Sequence, residues 1–231
     1  MTAWTDLDAL RKRLPGRAHL HGLTADAEAV SRWKAWLSDA EHRRWASFGA
    51  AKRKREFVAG RAAARTVLAH AWAVRPDTVR LHQADDGALD VEKSGWHVSL
   101  AHSGAHAVAA CAPHPVGIDL EQIQPRDSSL RRFLFAPERR GLPDALPWDA
   151  NTSLLLCWTL KESVLKARRS GFRCSPKDLH LSVDAPARRA TVEVRGRETW
   201  TVGFERLHGC WCAVALPPGP LRPEDEASAD R

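Results

Sequence analysis

Two short segments carry acids at spacings that chemistry can use. Residues 116–123 read VGIDLEQI, with Asp119 and Glu121 two apart in a run that otherwise looks like a buried strand. In a strand, residues i and i+2 point to the same side about 6–7 Å apart, so Asp119 and Glu121 share one face while Ile118 and Leu120 take the other. Two like charges this close repel unless something cationic lies between them; an exposed, solvated strand face is the plainer alternative. Gly117 before the pair and the β-branched Val116, Ile118 and Ile123 point to a strand end that a ligand approaches closely. A third acid lies further along in WTLKESVLKA, residues 158–167. Helical geometry sets Trp158, Glu162 and Lys166 on one stripe and Leu156, Leu160 and Val164 on roughly the opposite side. The apolar stripe can enter a core, which leaves the polar one for a cleft or for solvent. Taken alone, Glu162 and Lys166 would be an ordinary surface pair.

Carboxylates from a strand and a helix are hard oxygen donors suited to Mg²⁺, an ion that keeps some waters and commonly completes its shell with substrate phosphates. Asp119, Glu121 and Glu162 are therefore the candidate metal ligands, and a phosphate is the expected further party. Cations to hold it are at hand: Lys52, Arg53, Lys54 and Arg55 precede a helical run in which Arg61 and Arg65 are i,i+4 neighbours. SLAHSG adds His102 and Ser103 at a strand-to-turn junction, where imidazole and hydroxyl can donate to phosphate oxygens.

The elements that must position these groups follow a repeated order. A helical run over residues 56–72 precedes four strand-like segments that end at Ala112; a second over residues 151–171 precedes four more. This predicts an α+β fold of two similar subdomains, each a helix packed on a small antiparallel sheet, related by pseudo-twofold symmetry. The expected division is 1–112 for an N-terminal subdomain and 113–216 for a C-terminal one carrying the metal ligands, with a Pro-rich, charged tail over 217–231 predicted to be disordered.

With 44% hydrophobic and 27% charged residues among 231, the chain can bury a substantial core, and it lacks the long apolar run of a membrane span. A cytoplasmic protein with no membrane partner is expected. The five cysteines have no CxxC spacing and read as reduced thiols. A net charge of +7 favours anionic partners without choosing among them.

VGIDLEQI, WTLKESVLKA, and upstream FVAGRAAAR and VSLAHSG, in that order along the chain, resemble the Sfp-type 4′-phosphopantetheinyl transferases. The resemblance implies transfer of the 4′-phosphopantetheine group of coenzyme A to a serine of an acyl, peptidyl or aryl carrier protein, with release of adenosine 3′,5′-bisphosphate. It implies Asp119, Glu121 and Glu162 as Mg²⁺ ligands and Lys161 and Lys166 as phosphate contacts. Arg61 and His102 match positions that contact coenzyme A, His102 near its 3′-phosphate. Asp119, Glu162 and Lys166 would be the catalytic groups, in a monomer containing an internal pseudo-dimer.

The chain departs from the family pattern twice. Ala101 stands where a serine usually precedes the motif histidine, and Gly87-Ala88-Leu89 replaces a Gly-Lys-Pro loop. Other basic residues, Lys93 or the run from Lys52 through Arg53 to Arg55, are the candidates to compensate. Two competing readings are a catalytically weak carrier-binding homologue and a metal-dependent phosphodiesterase or nucleic-acid binder. Retention of all three acids opposes the first, and acids dispersed among the basic residues oppose the second, so no nucleic-acid partner is expected.

Overall fold

A computed structural model describes residue 4 and residues 7–14, 16–84, 87–127 and 129–217. The expected disordered tail, beyond its first residue, lies outside the described residues. Along the chain come α1 (Leu7–Arg11), β1 (His19–Thr24), α2 (Ala27–Lys34), α3 (Asp39–Ser47) and the long α4 (Ala51–Trp72). Strands β2 (Leu81–Gln83), β3 (Leu89–Val91), β4 (His97–Ser103) and β5 (His106–Ala112) complete the first half. The second half holds β6 (Gly117–Gln122), α5 (Ser129–Leu134), α6 (Ala150–Ala167), β7 (Leu179–Asp184), β8 (Arg189–Val194), β9 (Glu198–Leu207) and β10 (Cys210–Leu216). The fold class is α+β, as expected. No helix among the described residues is long and apolar enough to cross a membrane.

The strand orders of the two halves correspond. In the first half, β1 pairs with β5 and β5 with β4, while β2 and β3 form a separate hairpin; in the second the order is β6-β10-β9-β8-β7. In each half the strand before the long helix therefore pairs antiparallel with the last strand of that half.

Burial explains why each helix lies where it does. Residues 58–69 of α4 are buried all round, because its alanines let the helix sit closely on the β1-β5-β4 sheet while Trp33 and Leu37 cover it from the other side. A second core gathers Leu155, Leu156, Leu160 and Val164 of α6 with Trp211, Phe204 and Val202 of the five-stranded sheet. A third is shared: Leu20, Val108 and Ala110 of the first sheet pack with Ile118, Leu120, Cys212 and Val214 of the second.

The halves also join edge to edge. The edge amides of β6 find acceptors on β4, where Ser99 Oγ accepts from Ile118 N at 3.1 Å and Ser103 Oγ from Gln122 N at 3.0 Å. Gly117 lets α6 close on β6, since a Cβ there would lie 1.9 Å from Ser163 O and 2.5 Å from Ala167 N.

Boundaries differ from expectation at both long helices. The basic run from Lys52 to Arg55 lies inside α4, as its solvated first turns, with Lys52 Nζ 3.8 Å from Glu56 Oε1 one turn on. At the other helix Arg169 takes a left-handed backbone (φ 51°), so α6 stops at Ala167.

Candidate active site

Strand β6 divides its side chains as its alternation dictates. Ile118 and Leu120 enter the shared core, and Asp119 and Glu121 face α6. On α6 the residues from Thr152 to Ala167 are buried apart from three, Trp158, Glu162 and Lys166, the polar stripe anticipated at i, i+4 and i+8. Each of the three serves the acid group. Lys166 Nζ lies 2.7 Å from Asp119 Oδ1, and Trp158 Nε1 donates to Glu121 Oε1 at 2.8 Å.

The repulsion between the acids is met by the chain's own donors. Besides Trp158, Glu121 takes Arg126 NH2 at 2.8 Å on its other oxygen. Arg126 N in turn donates to Asn151 Oδ1, which ties the segment after β6 to the start of α6. Two oxygens have no hydrogen-bond partner although both are buried: Asp119 Oδ2 and Glu162 Oε1. Burial, reinforced by the Asp119 and Glu121 charges and opposed by Lys166, pushes the Glu162 carboxyl up to about 7. Burial and then Asp119 raise Glu121 as well.

The three acids are not equivalent as oxygen donors. Among the described residues no group of three or more His, Cys, Asp or Glu side chains is placed to hold a metal ion. Both oxygens of Glu121 are engaged, one by Trp158 Nε1 and the other by Arg126 NH2. Asp119 and Glu162 retain one open, buried, hard oxygen each, which fits an ion of the Mg²⁺ kind that takes one or two carboxylates and draws its remaining ligands from water and phosphate.

A cleft of about 780 Å³ runs between α4, β4 and α6. Glu162 and Lys166 of α6 line it, with Arg44 of α3, Lys52, Arg53 and Arg61 of α4, and His102 of β4. Arg61 is 8% exposed, with Nε 2.9 Å from Glu41 Oε1 and its guanidinium 4.7 Å above the Phe57 ring. Burial lowers it to about 10, opposed chiefly by the Glu41 charge. His102 Nδ1 lies 3.9 Å from Glu56 Oε2, and burial lowers the imidazole, with Glu56 opposing.

Other residues of the expected site lie away from this cleft. Lys161 is 1% exposed and points away from the acids, where Nζ donates to Leu134 O at 2.6 Å and Pro176 O at 2.8 Å and sits 4.2 Å from the Phe135 ring. It is a pin between chain segments and does not line the cleft. Ser103 spends its oxygen on the β4–β6 junction and does not line the cleft. Lys93 lies over Trp72 outside it, and of the basic run only Lys52 and Arg53 reach it. Arg44 and Arg169 were missed; both line it, and Arg169 NH1 donates across to Asp90 Oδ1 at 2.6 Å. Glu41 was missed too, although Ser38 and Glu41 have the spacing of a capping box, and the box forms at the start of α3.

Fold and site define an α+β protein in which a cleft lined by Glu162 also gathers Lys166, Arg44, Lys52, Arg53, Arg61 and Arg169, cations suited to an anionic ligand. Residues 115–215 match the 4′-phosphopantetheinyl transferase superfamily. The chain is 30% identical over 169 residues to the 4′-phosphopantetheinyl transferase HetI of a Nostoc species, covering 68% of this chain and 70% of that one. It is 33% identical over 95 residues to the 4′-phosphopantetheinyl transferase psf-1 of Bacillus pumilus, covering 40% and 41%. Against a 4′-phosphopantetheinyl transferase of Bacillus subtilis it is 25% identical over 132 residues, covering 53% and 59%. The chain belongs to this superfamily of transferases.

Proposed function

We propose that this enzyme transfers the 4′-phosphopantetheine group of coenzyme A to a serine of an acyl, peptidyl or aryl carrier protein, in a Mg²⁺-dependent reaction that releases adenosine 3′,5′-bisphosphate. The observation that carries the reading is the α6 stripe. On a helix whose other faces are buried, Glu162 and Lys166 line a cleft that also gathers Arg44, Lys52, Arg53, Arg61 and Arg169.

The reaction breaks the bond between the β-phosphorus and its bridging oxygen as the serine oxygen attacks, so charge must be balanced on both sides and one proton removed. Arg44, Arg53, Arg61 and His102 would hold the anionic coenzyme against α4 and β4. Mg²⁺ on Asp119 and Glu162 would neutralise the pyrophosphate and fix its orientation. Of the three acids Glu162 alone lines the cleft, which suits it to take the serine proton. Lys166, held by Asp119 on the cleft wall, is placed to steady the charge that develops on the departing bisphosphate. Glu121 carries a supporting part, orienting Trp158 and Arg126.

The strand orders that correspond between the halves support a monomer with an internal pseudo-dimer, divided at residues 112 and 113. The five free, buried thiols suit a reducing cytoplasm. The test is intact-mass measurement of apo carrier proteins from fatty-acid, polyketide and nonribosomal-peptide systems incubated with coenzyme A and Mg²⁺. A gain equal to one phosphopantetheine group, lost with Glu162→Gln, is expected; unchanged masses throughout overturn the reading.

A further inference from the structure

The most deeply engaged charge near the cleft belongs to a residue outside every motif. Glu41 is 7% exposed, and its carboxylate is anchored at its own helix end by Ser38 N, which donates to Oε2 at 2.9 Å. Arg65 grips it with both terminal nitrogens, 2.6 Å to Oε2 and 3.3 Å to Oε1, and Arg61 Nε lies 2.9 Å from Oε1. Arg61 and Arg65 are i,i+4 neighbours on α4, so two guanidiniums converge on one acid, and without it two buried like charges would face each other.

The two arginines have different fates. Arg65 is 1% exposed and does not line the cleft, so its charge is consumed in locking Glu41. Arg61 reaches the cleft wall, where NH2 lies 3.4 Å from Gln83 Oε1 and the ring of Phe57 backs the guanidinium plane. One acid and two bases leave one net positive charge, and the only member of the group on the cleft wall is Arg61. We propose that Glu41 is a positioning residue of the anion-binding wall, fixing the Arg61 guanidinium so that its remaining donors meet a phosphate without further ordering. An arginine free to rotate would lose that freedom on binding; here it is lost on folding.

The inference rests on the reading of the cleft as the coenzyme site. Its test is coenzyme A binding by calorimetry and steady-state kinetics for wild type, Glu41→Gln, Arg61→Met and the double variant, with the melting temperature of each recorded without ligand. Glu41→Gln keeps the shape and removes the charge. It should raise KM for coenzyme A about tenfold, the loss of one charge-assisted contact, with little change in kcat. In the Arg61→Met background it should raise KM no further, because it acts through Arg61. Glu41→Asp, which keeps the charge and withdraws it by one methylene, carries the same test if the Gln variant does not fold, and should also raise KM. A lower melting temperature with unchanged KM, or an effect that adds in full to Arg61→Met, overturns the inference. Wild type that does not bind coenzyme A overturns the functional reading instead.

Discussion

Lys166 Nζ and Asp119 Oδ1 lie 2.7 Å apart, an ion pair that joins the half-buried polar stripe of α6 to a strand residue only 4% exposed. The pair is lopsided, since the Lys166 side chain is 31% exposed and its partner's is 6%. Lysine therefore has an alternative in water or in an anionic ligand, and aspartate has none. Lys166→Met should accordingly lower stability by about 1–3 kcal/mol, the penalty of a buried acceptor left unpaired, and reduce turnover by orders of magnitude. Urea denaturation and single-turnover transfer measure the two. A variant with wild-type turnover would remove Lys166 from the reaction.

Asp119 and Glu121 look equivalent in sequence and differ in the structure, where one has an open oxygen and the other has none. Excess EDTA should abolish transfer. Asp119→Asn should then require far more Mg²⁺ for half-maximal rate than Glu121→Gln, whose defect should lie in the positions of Trp158 and Arg126. Titrating Mg²⁺ against rate for both variants decides it. Equal displacement of the two curves would restore Glu121 as a ligand.

The stripe on α6 was legible because helical period alone separates residues 158, 162 and 166 from the core positions. The same period separates Lys161 from that stripe. Adjacent residues on a helix point about 100° apart, so Lys161 and Glu162 do not share one cleft face. Ser103 is separated from His102 for the strand version of the reason, since neighbours in a strand face opposite ways. Glu41, Arg44 and Arg169 were not read because they lie outside the motif segments, and only folding brings α3 and the turn after α6 to the cleft.

Gly117 is the contact on which the site's geometry depends. An added Cβ meets backbone, Ser163 O at 1.9 Å and Ala167 N at 2.5 Å, and the backbone of a packed helix, here in its last turn, does not move aside as a side chain tip would. Gly117→Ala should push α6 off β6, lowering stability by at least about 1–3 kcal/mol and transfer with it, because Glu162 and Lys166 shift relative to Asp119. Gly49→Ala, where an added Cβ meets nothing within 4 Å, is the control and should alter neither. Wild-type stability and rate in Gly117→Ala would show that the close approach is not required.

Away from the cleft, His21 on β1 should make the fold acid-sensitive. It is 7% exposed, its Nε2 has no hydrogen-bond partner, and its ring meets that of His70 at 5.7 Å and 80°. Burial first, and the His70 charge second, lower the imidazole from 6.5 to about 4. The folded protein therefore holds His21 neutral at pH values where the unfolded chain has already protonated it. Stability from this group is complete above pH 6.5, falls as the pH drops through the interval to about 4, and has no more to lose below it. At about 1.4 kcal/mol per unit, a drop from 6.5 to about 4 corresponds to an order of 3 kcal/mol. Burial also lowers His19, His97, His102 and His106, so wild type should lose stability over a similar range through more than one group. His21→Met, close in volume and without a proton to gain, should flatten that loss. Urea denaturation at pH 7, 6 and 5 measures the slopes, and parallel slopes for wild type and variant would show that His21 does not titrate on unfolding.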